Sequence, residues 1–171
     1  FYYVQIAPYD YGRKNADKTE AAEIRQVQLE CLKEIPNAGM VVTADIGNRT
    51  CVHPSDKESV GKRLALWALA KTYQRSGTPY SGPLYKSFTI DKEKIIVEFD
   101  YAEMGMTSYD REIVGFEIAG KDGIYYPAKA VLFDNKTKVM LTSDQVPEPV
   151  GVKYGFRTVS YTHLTLPTKL E

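Results

Sequence analysis

Ala38-Gly39-Met40-Val41-Val42-Thr43-Ala44 is an almost unbroken apolar run, and it gives way at once to Asp45-Ile46-Gly47-Asn48-Arg49-Thr50-Cys51-Val52-His53-Pro54. A strand that is apolar on both faces reads as a parallel strand covered on both sides. The polar stretch after it reads as a loop leaving the strand's C-terminal end. Ser55-Asp56-Lys57-Glu58 then shows the S-x-x-E spacing of a capping box, which starts a helix. Val60, Leu64, Trp67, Ala68 and Lys71 share one side of that helix, which is expected to run to about Tyr73.

Upstream, Tyr2 to Ala7 reads as a strand rich in aromatic and β-branched residues, and Pro8 to Lys18 as a polar loop. Thr19 to Glu34 reads as a helix whose core face is Ile24, Val27, Cys31 and Ile35, ended by Pro36-Asn37. The order β, α, β, α implies a parallel α/β layer over residues 1–75. Downstream, Gln74 to Pro83 has the composition of a linker, which is placed at 76–83. Beyond it no helix is expected. Leu84–Ile90, Lys94–Tyr101, Ile113–Ala119, Ile124–Phe133, Lys138–Thr142 and Gly151–Phe156 read as strands, with turns at Gly120–Gly123 and Asp134–Lys136. Ile95, Val97, Phe99 and Tyr101 give one apolar face. The pattern over 84–157 is an antiparallel β-sandwich, with too few strands to close. The fold class is therefore α/β followed by a β-sandwich, both incomplete. The chain opens inside a strand without an initiator Met, which reads as an internal cut. Residues 158–171 follow neither period and read as a non-native tail, which leaves His53 rather than His163 as the candidate histidine.

Composition narrows the function classes. The 171 residues are 43% hydrophobic and 26% charged, with 22 basic and 22 acidic side chains, so a globular chain is expected. Zero net charge argues against a nucleic-acid partner, and no apolar run reaches the roughly 18–20 residues of a membrane span. Cys31 and Cys51 give neither a disulfide framework nor a zinc spacing, so no metal or cofactor is expected. Thirteen tyrosines suit half-wet strand surfaces, including carbohydrate-facing ones.

Sites in open α/β sheets gather outside the C-terminal strand ends, which is where Asp45 and His53 fall. An imidazole there can act as general base for a hydroxyl nucleophile. The loop can return Asp45 to the ring and fix its tautomer. An ordinary surface histidine and a turn-capping Asp fit the same spacing. Cys51 is a rival nucleophile, although at i, i+2 in an extended loop its side chain and that of His53 point apart. Ser55 and Ser59 read as an N-cap and a helix-surface residue, so a nucleophilic serine is expected upstream of Phe1.

F-Y-Y-V-Q-I-A-P-Y from Phe1, A-E-I-R-Q-V-Q-L from Ala22, G-M-V-V-T-A-D-I-G from Gly39, the block from His53 to Tyr73 and S-G-P-L-Y-K-S from Ser81 follow one another in an order that resembles the sialate O-acetylesterase family, a group of SGNH-type serine hydrolases. The stretches from Gly115 to Val131 and from Val146 to Tyr154 resemble its C-terminal β-domain. The resemblance implies an esterase that removes acetyl groups from sugar hydroxyls, with 9-O-acetylated sialic acid or a related glycan as substrate. It favours a secreted or periplasmic setting. It puts the catalytic histidine at His53. Many SGNH enzymes carry an Asp three residues before the histidine, and some relatives two before. Those positions here are Thr50 and Cys51, so Asp45 is the candidate acid. The nucleophile and oxyanion-hole blocks of the family have no counterpart in this chain, which is expected to be inactive alone. Arg25 and Gln28, in the R-x-x-Q of the first helix, can hydrogen-bond strand-end backbone or simply face solvent. A second class remains open: a non-catalytic β-sandwich that binds carbohydrate through Tyr80, Tyr85, Tyr125 and Tyr126, or one that buttresses the α/β part.

Overall fold

The computed structural model describes residues 1–11 and 19–157, so the expected loop at Pro8–Lys18 is seen only in part and the 158–171 tail lies outside the described residues. The chain divides into two compact units that part between Ser81 and Gly82, with Phe156 and Arg157 belonging to the first.

In the first unit β1 (Tyr2–Val4) pairs in parallel with β2 (Gly39–Val41), Tyr2 opposite Gly39 and Val4 opposite Val41. Both strands are shorter than expected, though Gln5 N still donates to Val41 O at 2.9 Å. Helix α1 (Glu20–Glu34) connects them, and α2 (Lys57–Trp67) follows β2 and continues as a π-helical turn over Ala68–Thr72. Gly39, Met40 and Val41 are all buried, as a strand covered on both faces requires. The indole of Trp67 does much of that covering. Its Nε1 donates to Met40 O at 3.1 Å, and its ring lies so close to Gly39 that a Cβ there would sit 2.5 Å from Cε3. Tyr2 and Tyr80 flank the indole at centroid distances of 6.1 and 4.7 Å.

Two local expectations are corrected. Asp56, not Ser55, caps α2: its carboxylate accepts from Ser59 N at 2.9 Å, and hydrogen bonding from the Ser59 hydroxyl, then from its N–H, holds the carboxyl below its ordinary pKa. The core face of α1 is not Ile24, Val27, Cys31 and Ile35. Ile24 and Val27 are 50% and 57% exposed, and the buried residues are Ala21, Ala22 and Arg25. Hydrogen bonds explain the roll of the helix. Gln28 Oε1 accepts from Ile6 N at 2.9 Å, Tyr3 Oη donates to Gln28 O at 2.5 Å, and Gln5 Nε2 donates to Arg25 O at 3.0 Å. Two alanines let the helix come close enough to make these bonds.

The second unit has two antiparallel sheets. One has the order β3 (Leu84–Asp91), β4 (Lys94–Asp100), β8 (Lys138–Thr142), β7 (Lys129–Phe133); the other has β6 (Tyr125–Pro127), β5 (Phe116–Ala119), β9 (Gly151–Tyr154). They bury a shared core of Ile95, Val97, Val139 and Leu141 from the first sheet with Phe116 and Ile118 from the second. The single strand expected over Ile124–Phe133 is two strands, one in each sheet, broken at Ala128, whose N–H turns to Phe116 O at 3.0 Å. Both expected turns are present: Gly123 N donates to Gly120 O, and Thr137 N to Asp134 O.

Gly39→Ala is expected to push the indole off Met40 and lower the stability of the first unit by about 1–3 kcal/mol, the usual scale of overpacking. Trp67 is the sole tryptophan, so its fluorescence in a denaturant titration reports the change directly. Gly61→Ala, in α2 with open space around its Cβ position, is the control and is expected to stabilise by about 1 kcal/mol or less. Equal midpoints for the two variants would remove the wedge argument.

Candidate functional site

The C-terminal ends of β1 and β2 carry the segments 5–11 and 42–54, and these two segments are tied together. Gly47 lies against Pro8, where a Cβ would be 2.5 Å from Pro8 O. Asn48 N donates to Pro8 O at 3.1 Å and Asp10 N to Arg49 O at 3.2 Å. Asn48 then folds the rest of the loop with a single atom: its Oδ1 accepts from Thr50 N at 2.8 Å, Thr50 Oγ1 at 3.0 Å and Cys51 N at 3.1 Å. A short polar side chain that competes with backbone in this way is what Asn supplies in turns. Two residues on, His53 stands exposed between this turn and buried Pro54, just before the cap of α2.

Asp45 does not meet His53; no hydrogen bond or ion pair joins them. Both its carboxylate oxygens accept from Arg63, Oδ1 from Nη1 at 2.8 Å and Oδ2 from Nη2 at 2.5 Å, in a side-by-side guanidinium–carboxylate pair. Arg63 Nη1 also donates to Val42 O at 2.7 Å. The bond to Asp45 holds the guanidinium above its ordinary pKa against the opposing effect of burial. The expected Asp45–His53 hydrogen bond is thus replaced by an Asp45–Arg63 clamp. Arg63 had a signal in the sequence: it lies on the same side of α2 as Val60, Leu64 and Trp67, and an arginine facing inward on a helix asks for a carboxylate or carbonyl.

Cys51 is exposed, and its Sγ approaches the backbone oxygen of His53 at 3.2 Å rather than the ring. Neither Ser55 nor Ser59 bonds the His53 ring; Ser59 N is taken by Asp56. Among the described residues no group of three His, Cys, Asp or Glu converges as a metal site.

Behind the loop a buried polar chain crosses the layer. Thr43 Oγ1 donates to Gln5 O at 2.9 Å, and Gln5 Nε2 reaches Arg25 O. Arg25 is 8% exposed; its Nη2 donates to Arg157 O, while Nη1 has no partner among the described residues. Burial pushes this guanidinium below its ordinary pKa. Of the R-x-x-Q pair, it is Gln28 that bonds strand-end backbone, through Ile6 N and, at 3.4 Å, Val4 O. Each of the four tyrosines of the carbohydrate-platform reading has its own surroundings within its unit. Tyr80 packs on Trp67 beneath Lys71, Tyr126 packs against the β core, Lys153 lies 3.9 Å over the Tyr125 ring, and Tyr85 is exposed.

The chain is similar to the sialate O-acetylesterases of Mus musculus and Rattus norvegicus, each 26% identical over 92% of this chain and 31% of the relative. It is also similar to the crystal structure of a carbohydrate acetylesterase from Xanthomonas citri, with a TM-score of 0.87 and 33% identity over 97% of this chain and 38% of that one. The chain thus spans about a third of the length of the relatives it matches. No protein-family model matches it.

Asn48→Ala is expected to release the turn: amide exchange at Thr50 and Cys51 should rise at least about tenfold, a little over 1 kcal/mol of lost protection. Asn48→Asp keeps an acceptor oxygen and should hold exchange near the parent rate. Hydrogen–deuterium exchange read at single residues checks this, and similar rates in both variants would place the anchor elsewhere.

Proposed function

This chain belongs to a sialate O-acetylesterase-like family, and we propose that it carries the histidine portion of a carbohydrate O-acetylesterase active site, joined to an accessory β unit. The observation that carries the reading is the placement of His53. It is exposed, on a loop pinned at Pro8 and Asn48, at the C-terminal edge of a parallel strand pair and directly before a helix.

In the proposed reaction a serine from outside these residues attacks the acetyl carbonyl, and His53 takes the serine proton as general base. The imidazolium returns that proton to the departing sugar hydroxyl, leaving an acetyl-enzyme. Water then repeats the sequence, with His53 again removing a proton, and releases acetate. Asp45 serves this site as its loop carboxylate. With Arg63 clamping it, the pair fixes the strand end from which the His53 loop departs, and the reaction runs as Ser–His unless Arg63 yields Asp45 to the ring. The proposed substrate is 9-O-acetylated sialic acid or a related acetylated glycan. Residues 1–75 are read as part of an SGNH-type domain, 76–83 as a linker and 84–157 as an accessory β-sandwich. A purely non-catalytic carbohydrate-binding module draws no support from the tyrosines, three of which are engaged in packing or covered by lysine.

The test is a chimera in which this chain replaces the corresponding region of the Xanthomonas citri acetylesterase. The chimera is expected to release acetate from an acetylated sugar, and His53→Ala should lower kcat by about 10²–10⁴-fold, the range of general acid–base catalysis. Cys51→Ser should leave the rate unchanged. The chain alone should hydrolyse no chromogenic acetyl ester. Turnover by the chain alone that His53→Ala abolishes would mean that the nucleophile lies within these residues. A folded chimera indifferent to His53→Ala would refute the assignment.

A further inference from the structure

In the second unit a groove of ≈ 290 Å³ opens between the turn at Ser108–Arg111 and β7. Strand β7 is the edge of its sheet, and among the described residues its outer side is held by one isolated bridge, Ile113 to Ala130. The turn that forms the opposite wall is unusual. Arg111 N donates to Ser108 O at 3.0 Å, and both central residues are left-handed, Tyr109 at φ 52° and Asp110 at φ 59°. That backbone ordinarily takes Asn-Gly, because a side chain at positive φ is strained. The turn is propped by Thr107, whose Oγ1 accepts from Tyr109 N at 3.0 Å. Strain held in place by its surroundings gathers at ligand sites, and here it fixes the two ends of the turn, Ser108 and Arg111, as walls of the groove.

The wall chemistry is specific. Arg111, Lys129 and one carboxylate, Glu112, line the groove, and among the described residues neither cation forms an ion pair. Ser108 adds a hydroxyl, while Val131, on the same exposed face of β7 as Lys129, adds apolar wall. A guanidinium and an ammonium lining one groove favour a carboxylate. The serine hydroxyl and the Glu112 carboxylate suit neighbouring hydroxyls, and the aliphatic wall suits the C–H face of a pyranose. Tyr109, 59% exposed at the turn tip, gives the rim an aromatic ring.

We propose that this groove is a second, non-catalytic site that binds a carboxylated sugar, a sialic or uronic acid, through Arg111 and Lys129. The choice of a sugar as the anion rests on the acetylesterase reading. The charge and the strained turn stand without it.

The experiment uses the full chain, with backbone amide shifts read during titration. N-acetylneuraminic acid and glucuronic acid should each give saturable millimolar binding, with shifts confined to residues 107–113 and 129–132. The methyl ester of N-acetylneuraminic acid and neutral N-acetylglucosamine should not bind in that range. Arg111→Gln, a change at an exposed residue, should weaken the acid about tenfold, as loss of a charge-assisted bond predicts; Lys129→Gln should weaken it less, and raised salt should weaken it throughout. His53→Ala should bind as the parent does. Equal binding of acid and methyl ester would overturn the proposal. So would absence of shifts at tens of millimolar, or a glutamate-rich peptide shifting the same amides where sugar acids do not. An inactive chimera would count against the esterase reading alone, and a silent groove against this site alone, so the two failures are separable.

Discussion

The first unit turns on one contact, the indole of Trp67 laid against the bare Cα of Gly39. Two strands of three paired residues cannot hold themselves in water. The indole covers β2 and bonds Met40 O, which fixes α2 along the strand. Once that helix is placed, its upper turns have no freedom. Arg63, one turn before Trp67, falls at the end of β2 and binds Val42 O and Asp45. Asp56, two turns before Arg63, caps the helix, and His53 stands just ahead of it. The position of the candidate base is therefore set by a packing contact fourteen residues away in sequence.

The Arg63–Asp45 pair illustrates why geometry, more than spacing, decides which partner a carboxylate takes. Asp45 had two candidates, the imidazole eight residues on in its own loop and the guanidinium on α2. The guanidinium is always charged, offers two parallel donors and is already held by Val42 O, so it loses little freedom on binding. An imidazole on an exposed loop offers one donor and has no second tether. Both partners of the ion pair are partly exposed, so the pair adds little to stability by itself. Its effect is on direction: it commits the chain leaving β2 to one path, and Asn48 then completes the turn.

How much was legible in the sequence follows from what each signal measures. The apolar run at 38–44 and the alternation at 95–101 measure burial on two faces and on one, and both hold a strand, although β2 keeps only Gly39–Val41 of its run and β4 ends at Asp100, before Tyr101. The turn signals at 120–123 and 134–136 are local chemistry and also held. The face of α1 failed because periodicity counts hydrophobic side chains and is blind to hydrogen bonds. Arg25 and Gln28 face the strand through bonds to Gln5, Tyr3 and Ile6, and the apolar pair Ile24 and Val27 is left outside. The continuous stretch 124–133 concealed a change of sheet whose one signal was Pro127, a residue without an N–H for the ladder, after which Ala128 N turns to Phe116 O. His53 was legible as a loop residue after a parallel strand. Its separation from Asp45 was not, because it depends on an arginine eighteen positions downstream of the carboxylate.

Gln28 shows what the polar face of α1 gains for the exposure of its apolar one. Beyond β2, the outer edge of β1 presents Val4 O and Ile6 N, which an adjoining strand would normally take. The primary amide of Gln28 carries an acceptor and donors on one flat group, so a single side chain meets both, the N–H at 2.9 Å and the carbonyl at 3.4 Å. It acts as a strand one residue long. The two backbone groups are exposed or only half-buried, so each bond adds about 0.5–1.5 kcal/mol at most, and half-exposing Ile24 and Val27 forfeits only part of the roughly 1.5–3 kcal/mol each would give on full burial. With the bonds from Tyr3 to Gln28 O and from Gln5 to Arg25 O, these contacts hold the polar face of α1 on the strand, and a helix whose hydrophobic stripe is plain in the sequence packs on its other side.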